Sequence, residues 1–249
     1  MKPFRTLGKV RTPDGSQLTL HEHDGQFHLK LAGRQLMSTT STLSERLLAE
    51  LGCEALPVGT HPRILIGGLG IGFTLKRVLE LAGKSAAVHV AELIPEVVAW
   101  NREFLGAVNG VLLDDKRVEV FVEDVFDVIR RGGNAKYDAI LLDVDNGPTS
   151  FVQTKNSRIY DPRGFELIAR ALKSGGRVAF WSAVEERGFF RDLSRAGFKV
   201  SAHESKAHER AKRSEHWIYV GVAEAGAPTA VTPSSPPRGR KAARRGSAS

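Results

Sequence analysis

In ILLDVDNGP, residues 140–148, two carboxylates, an amide and a Gly-Pro pair directly follow an apolar run. Asp143 ends the run, Asp145 lies two residues on and Asn146 follows it. In an extended segment Asp143 and Asp145 face the same side and make a negative pocket for a cation. A carboxylate beside an ammonium group can bind it, orient it and accept its proton as the nitrogen attacks. Asn146 adds a further hydrogen-bonding group. The plainer reading of the same residues is a turn, because Asp-Asn-Gly-Pro lets an acid hold its own backbone.

A second constellation stands earlier, in RILIGGLGIGFTL, where Gly67, Gly68, Gly70 and Gly72 follow a short apolar strand. Glycines there permit close approach of backbone to a ligand, and a helix starting just afterwards points unpaired N–H groups at the same place. The position of the third glycine of a dinucleotide fingerprint is Phe73, and no phosphate-loop lysine follows. Gly-x-Gly-x-Gly suits a single adenosine carrying a short charged substituent. Glu92, 24 residues after Gly68, ends the next strand, where an acid can accept both ribose hydroxyls. Asp124 ends the third strand and can accept an adenine amino group, with Val125 and Phe126 packing near the ring. Asp124 is equally a good N-cap for the helix that follows, and the two roles are compatible. Gly, Glu, Asp and Asp at four strand exits form one crevice.

The elements that must position these residues alternate along the chain. Strands are expected at 63–66, 86–92, 118–124, 137–144 and 177–183, with helices between them. RGFELIARALKSGG predicts a helix closed by Gly175 and Gly176. Residues 199–205 and 216–223 predict a final antiparallel pair. The fold class is therefore α/β, a Rossmann-like doubly wound, mostly parallel sheet ending in an antiparallel hairpin. A small N-terminal β segment, residues 1–35, precedes the main domain, residues 36–224, and turn signals at Pro13-Asp14-Gly15 and Asp24-Gly25 mark its hairpins. Residues 41–51 predict a capped helix with Glu45 in its first turn.

Of the 249 residues, 41% are hydrophobic, enough for one substantial core. No apolar run approaches the ~20 residues that span a bilayer, and the N-terminus lacks the apolar stretch of a secretory leader. The single cysteine, Cys53, excludes an intrachain disulfide and reads as packing. His203, His208 and His216 lack metal-like spacing, and His21 and His23 share a strand face without a third ligand, so no metal is expected. The protein is expected to be cytoplasmic and not membrane-bound. Its formal charge of +8 sits largely in residues 225–249, which carry Arg238, Arg240, Lys241, Arg244 and Arg245 and no acid. Such a tail has the composition of a disordered extension. It can contact nucleic acid or an acidic partner electrostatically, or serve only for solubility.

From roughly residue 35 to 223 the chain resembles the spermidine synthase-like branch of the class I S-adenosylmethionine-dependent transferases. IGGLGIG resembles that family's Gly-Gly-Gly-Asp-Gly loop, Glu92 its ribose-binding acid, Asp124 its adenine-contacting acid and Asp143 its catalytic acid. RIYDPRGFELIARALKSGG resembles the stretch after the family's active-site loop. The resemblance implies aminopropyl transfer from decarboxylated S-adenosylmethionine to a small amine acceptor, without metal, in a homodimer. It makes Asp143 catalytic, with the family's second acid standing at Asp145 in altered register or replaced by Asn146. It assigns the loop of Gly67, Gly68, Gly70 and Gly72, with Glu92 and Asp124, to the donor. The residues themselves add Asp145 as a second catalytic candidate, Val125 to the donor, and Asp145, Asn146 and Tyr160 to the acceptor. Tyr160 fits ordinary packing as well, and Trp181 fits either the core or the pocket floor.

Three departures stand out. Gly70 occupies the place of the family's loop acid, Leu43-Ser44-Glu45 stands where the family has Tyr-Gln-Glu, and DVDNGP replaces Asp-Ser-Ser-Asp-Pro. These leave open methyl transfer from S-adenosylmethionine to another acceptor, and a noncatalytic nucleotide-fold binding protein.

Overall fold

The computed structural model describes residues 3–57, 59–144, 156–206, 208, 211, 214 and 216–223. Asp145, Asn146 and the basic tail lie outside the described residues. Four N-terminal strands, β1 (Arg5–Arg11), β2 (Gln17–His23), β3 (Gln26–Leu31) and β4 (Arg34–Ser38), form an antiparallel sheet in sequence order. Their period-two pattern sorts the side chains: Leu20 pairs with Leu29 toward the core, while His21 pairs with His28 on the opposite face. The last strand runs to Ser38 and straddles the boundary expected at residue 35.

The main sheet contains β5 (Arg63–Gly67), β6 (Ala87–Ala91), β7 (Val118–Phe121), β8 (Tyr137–Leu142), β9 (Leu172–Ser182), β10 (Phe198–Ser205) and β11 (His216–Ala223). Its strand order is β10-β11-β9-β8-β5-β6-β7. Strands β5 to β9 are parallel, and β11 runs antiparallel to both β9 and β10. The chain leaves β5 for β6 on one side and returns to β8 on the other, so the switch point lies between β5 and β8, where α/β sheets bind ligands.

Alternation within the central strands builds two cores. Ile64, Ile66, Ala139 and Leu141 face one side, joined by α1 (Leu43–Cys53), α2 (Phe73–Leu81), α3 (Pro95–Glu103), the short α4 (Gly106–Asn109) and the N-terminal sheet. Leu65, Ile140, Leu142 and Phe180 face the other, against α5 (Val125–Gly132), α6 (Pro162–Ala171) and α7 (Arg187–Arg195). Burial on both faces explains why β8 reads as an unbroken apolar run. Among the described residues no helix is long and apolar enough to cross a membrane.

Two expectations are corrected. The helix after residue 162 ends at Ala171, not at Gly175-Gly176. Leu172 turns extended while its N–H still bonds the Ile168 carbonyl, and it pairs at once with Tyr137 in the sheet. The ladder slips between Tyr137 and Ala139, Gly175 adopts φ +74°, and Lys173 Nζ meets Asp138 Oδ2 at 2.6 Å. The glycines therefore shape an irregular entry to β9 instead of a helix cap. In α1, Thr42 is the N-cap but makes no side-chain capping bond, and Glu45 is turned inward.

Ile140 is fully buried at the centre of β8. Ile140→Ala is expected to cost about 2–5 kcal/mol of stability, read as a lower urea midpoint with an unchanged slope.

Candidate active site

The parallel ladder continues past the strand ends. Asp143 N–H donates to the Gly67 carbonyl at 2.9 Å, Gly68 N–H to Ala91 at 2.8 Å, and Glu92 N–H to Phe121 at 2.9 Å. These rungs tie the exits of β8, β5, β6 and β7 side by side. They fix the backbones that carry Asp143, the glycine loop and Glu92, with Asp124 three residues beyond β7.

The glycine loop fits this frame only without side chains. Gly68 has φ +88°, and a Cβ there would collide with the Asp143 carbonyl oxygen. Gly70 has φ +52°, and a Cβ would run into the Met37 sulfur, which β4 lays against the loop. From behind, Asn101 Nδ2 donates to the Gly70 carbonyl at 2.8 Å and Asn109 Nδ2 donates to Ile71. Gly67 ends β5 packed against Val125, Leu142 and Val144, and Gly72 is the N-cap of α2.

A cleft of about 350 Å³ opens between these strand exits and the N-terminal sheet. Gly68, Gly70, Glu92, Asp124, Val125 and Asp143 all line it, as do Met37, Glu45, Glu123, Trp181 and His216. Five of the lining residues are carboxylates, and none of those described is lysine or arginine.

The acids fall into two groups. At one end Glu92 is buried, with Oε2 accepting Leu69 N–H and Oε1 accepting Ile94 N–H, each at 2.9 Å. Burial pushes its pKa up, and these backbone donors act against that shift. Asp124 does cap α5, its Oδ1 accepting Phe126 N–H at 2.9 Å, while Arg158 Nη2 donates to Oδ2 at 2.8 Å. Glu123 is paired with Arg131 at 2.6 Å.

At the other end Asp143 and Glu45 face each other with no lysine or arginine ion pair among the described residues. Burial pushes the Asp143 carboxyl up, opposed by Thr74 Oγ1, which donates to Oδ2 at 3.1 Å. Burial and the negative charge of Asp143 push Glu45 up as well, opposed by Ser44 Oγ, which donates to Oε2 at 2.7 Å. Two like charges sharing a poorly solvated site hold a proton beyond the ordinary carboxylate range.

Thus Gly68, Gly70, Glu92, Asp124, Val125 and Asp143 share one cleft, whereas Gly67 and Gly72 do not line it and pack against Val125 and Leu142, and against Asn101 and Leu112. Tyr160 packs with Phe180 and Phe189 in the second core, at centroid distances of 5.9 and 5.8 Å. Asp145 and Asn146 lie outside the described residues. Sequence reasoning aligned Glu45 with the end of the family's Tyr-Gln-Glu signature yet read it as a first-turn acid and left it out of the expected site. It also missed Thr74 and Met37, which reach the site only through tertiary packing.

The carboxyl pair makes stability pH-dependent in a defined direction. Unfolded, both groups ionise in the ordinary carboxylate range; folded, they keep protons to higher pH. Stability should therefore fall as pH rises from the unfolded pKa values through the raised folded ones, and then level off. Glu45→Gln should flatten that decline relative to the parent chain in urea titrations from pH 4 to 8. Parallel pH profiles in the two proteins would contradict the pairing.

Comparison with known proteins places these features in a lineage. A family profile, the spermine/spermidine synthase domain, matches residues 44–191. The polyamine aminopropyltransferase of Pyrobaculum aerophilum is 32% identical over 128 residues, covering 49% of this chain and 42% of that protein. That of Bacillus subtilis is 32% identical over 174 residues, covering 64% of this chain and 59% of that protein. The chain thus spans only part of the length of these curated relatives. The spermidine synthase of Thermotoga maritima shares the fold, with TM-score 0.69 at 17% identity, over 89% of this chain and 73% of that one. With its profile matched across most of the main sheet, the chain belongs to the spermine/spermidine synthase domain family.

Proposed function

We propose that the protein transfers an aminopropyl group from decarboxylated S-adenosylmethionine to a small amine. The observation that carries this reading is the charge of the cleft: five carboxylates and no lysine or arginine among its described lining residues, in a chain of net charge +8. Such a cavity favours cations and disfavours anions. A decarboxylated sulfonium donor is a dication. The carboxylated donor would bring an extra anionic group toward Glu45 and Asp143.

In this reading the adenosine lies along the glycine loop, with its ribose hydroxyls on Glu92 and its amino group on Asp124. The Glu92 oxygens accept the backbone N–H groups of Leu69 and Ile94, which orient the carboxylate toward the ribose. The sulfonium is a reactive electrophile, so the protein's task is alignment and exclusion of competing water. Met37 covers Gly70, where relatives carry a loop acid, and cation recognition falls to Glu45 and Asp143.

The acceptor amine attacks the aminopropyl carbon bonded to sulfur. The carbon–sulfur bond breaks, its electron pair stays on sulfur, and 5′-methylthioadenosine leaves. An amine with pKa near about 10 arrives protonated, so it must lose a proton before attack. Asp143, fixed by Thr74, is placed to accept it.

The test is product analysis: the protein incubated with decarboxylated donor and a panel of amines, followed by chromatography for 5′-methylthioadenosine and the extended amine. Asp143→Asn should lower turnover about 10²–10³-fold while donor affinity changes little. Release of a methylated amine and a demethylated nucleoside product would overturn the aminopropyl assignment.

A further inference from the structure

We propose that Arg158 is a positioning residue for the donor's base, acting through Asp124; this rests on the donor reading above. Arg158 Nη2 donates to Asp124 Oδ2 at 2.8 Å. Its guanidinium also lies over the Phe126 ring, 4.5 Å from the centroid. The two contacts hold the guanidinium against both the carboxylate and the ring; a lysine could keep the ion pair but not the planar fork.

The base of this side chain is equally fixed. It projects from a short 3-10 turn, Asn156–Ile159, whose last residue, Ile159, is buried in the second core. Just beyond, Asp161 Oδ1 accepts Gly164 N–H at 2.8 Å to cap α6. Gly164 approaches the Arg158 carbonyl so closely that any Cβ would strike it.

The consequence falls on Asp124. Its Oδ1 is held by Phe126 N–H and its Oδ2 by Arg158, so the carboxylate is pinned at both oxygens. One lone pair on each remains for the cleft. Arg158 balances the charge of the carboxylate through their ion pair, leaving an oriented acceptor for an exocyclic amino group. A 6-oxo base would present an oxygen to the same carboxylate and be repelled. Arg131 gives neighbouring Glu123 a similar partner, whereas Glu45 and Asp143 have no such cation among the described residues. The cleft is thereby graded, neutralised where a neutral base would sit and uncompensated where a cation would react.

The experiment is a double-mutant cycle read by calorimetric binding of 5′-methylthioadenosine and 5′-methylthioinosine. The proteins are the parent chain, Arg158→Ala, Asp124→Asn and the double variant, with thermal unfolding checked on each. Arg158→Ala should weaken the adenine ligand about 5-fold, as expected for a charge-assisted bond near the surface, and narrow its margin over the inosine ligand. Arg158→Lys should recover part of the loss. Combined with Asp124→Asn, Arg158→Ala should cost nothing further, because the two act as a unit. Losses that multiply in the double variant, or equal or tighter binding by Arg158→Ala, would overturn the proposal alone. Failure of the parent chain to bind the adenine ligand would overturn the donor reading and this proposal together.

Discussion

Three backbone hydrogen bonds beyond the ends of the strands hold the site together. The ladder that pairs β8, β5, β6 and β7 does not stop at the last strand residues; it continues through Asp143–Gly67, Gly68–Ala91 and Glu92–Phe121. Parallel strands in register must release their chains at the same edge. The extra rungs delay that release by one residue in each case. The side chains at these exits are therefore placed by the main sheet, the most buried part of the molecule, and need little support from mobile elements. Gly68 shows how tight this is, since its own Cβ would meet the backbone of the neighbouring exit.

Onto that edge the fold sets a gradient of charge. At the Asp124 end, arginines from outside the cleft neutralise Asp124 and Glu123. Backbone N–H groups hold Glu92. At the opposite end, the hydroxyls of Thr74 and Ser44 hold Asp143 and Glu45, with no lysine or arginine ion pair among the described residues, and burial raises both. The uncompensated pair is costly to the fold in its doubly ionised form. A bound cation would relieve that cost, so the same electrostatics that limit stability favour ligand binding. The N-terminal sheet completes the arrangement by laying Met37 across the glycine loop and closing the cleft's other wall.

Much of this was legible in the sequence because strand exits are marked by composition. A buried parallel strand is an apolar run, and the first polar residue after it stands at the binding edge; Glu92 and Asp143 are found by that rule, whereas Asp124 comes three residues beyond β7, after Glu123. The glycine spacing marked the loop. What stayed hidden depends on contacts distant along the chain. By local pattern alone Glu45 reads as a first-turn acid; its resemblance to a signature residue acquires a location only when α1 is packed against the sheet. Thr74 and Asn101 are ordinary helix residues until their partners, Asp143 and the Gly70 carbonyl, are brought near. Gly175 and Gly176 resembled a helix stop, but pairing of Leu172 with Tyr137 drew the chain into the sheet earlier. Local propensity gave way there to tertiary pairing.

The central claim is that this edge holds an adenosyl sulfonium and that its acidity selects the donor lacking a carboxylate. The most direct measurement is calorimetric titration with S-adenosylmethionine and its decarboxylated form under identical conditions, repeated on Glu92→Gln. The account predicts tighter binding of the decarboxylated donor, with both affinities reduced by the substitution at the ribose acid. Tighter binding of the carboxylated donor, or binding of neither, would contradict it.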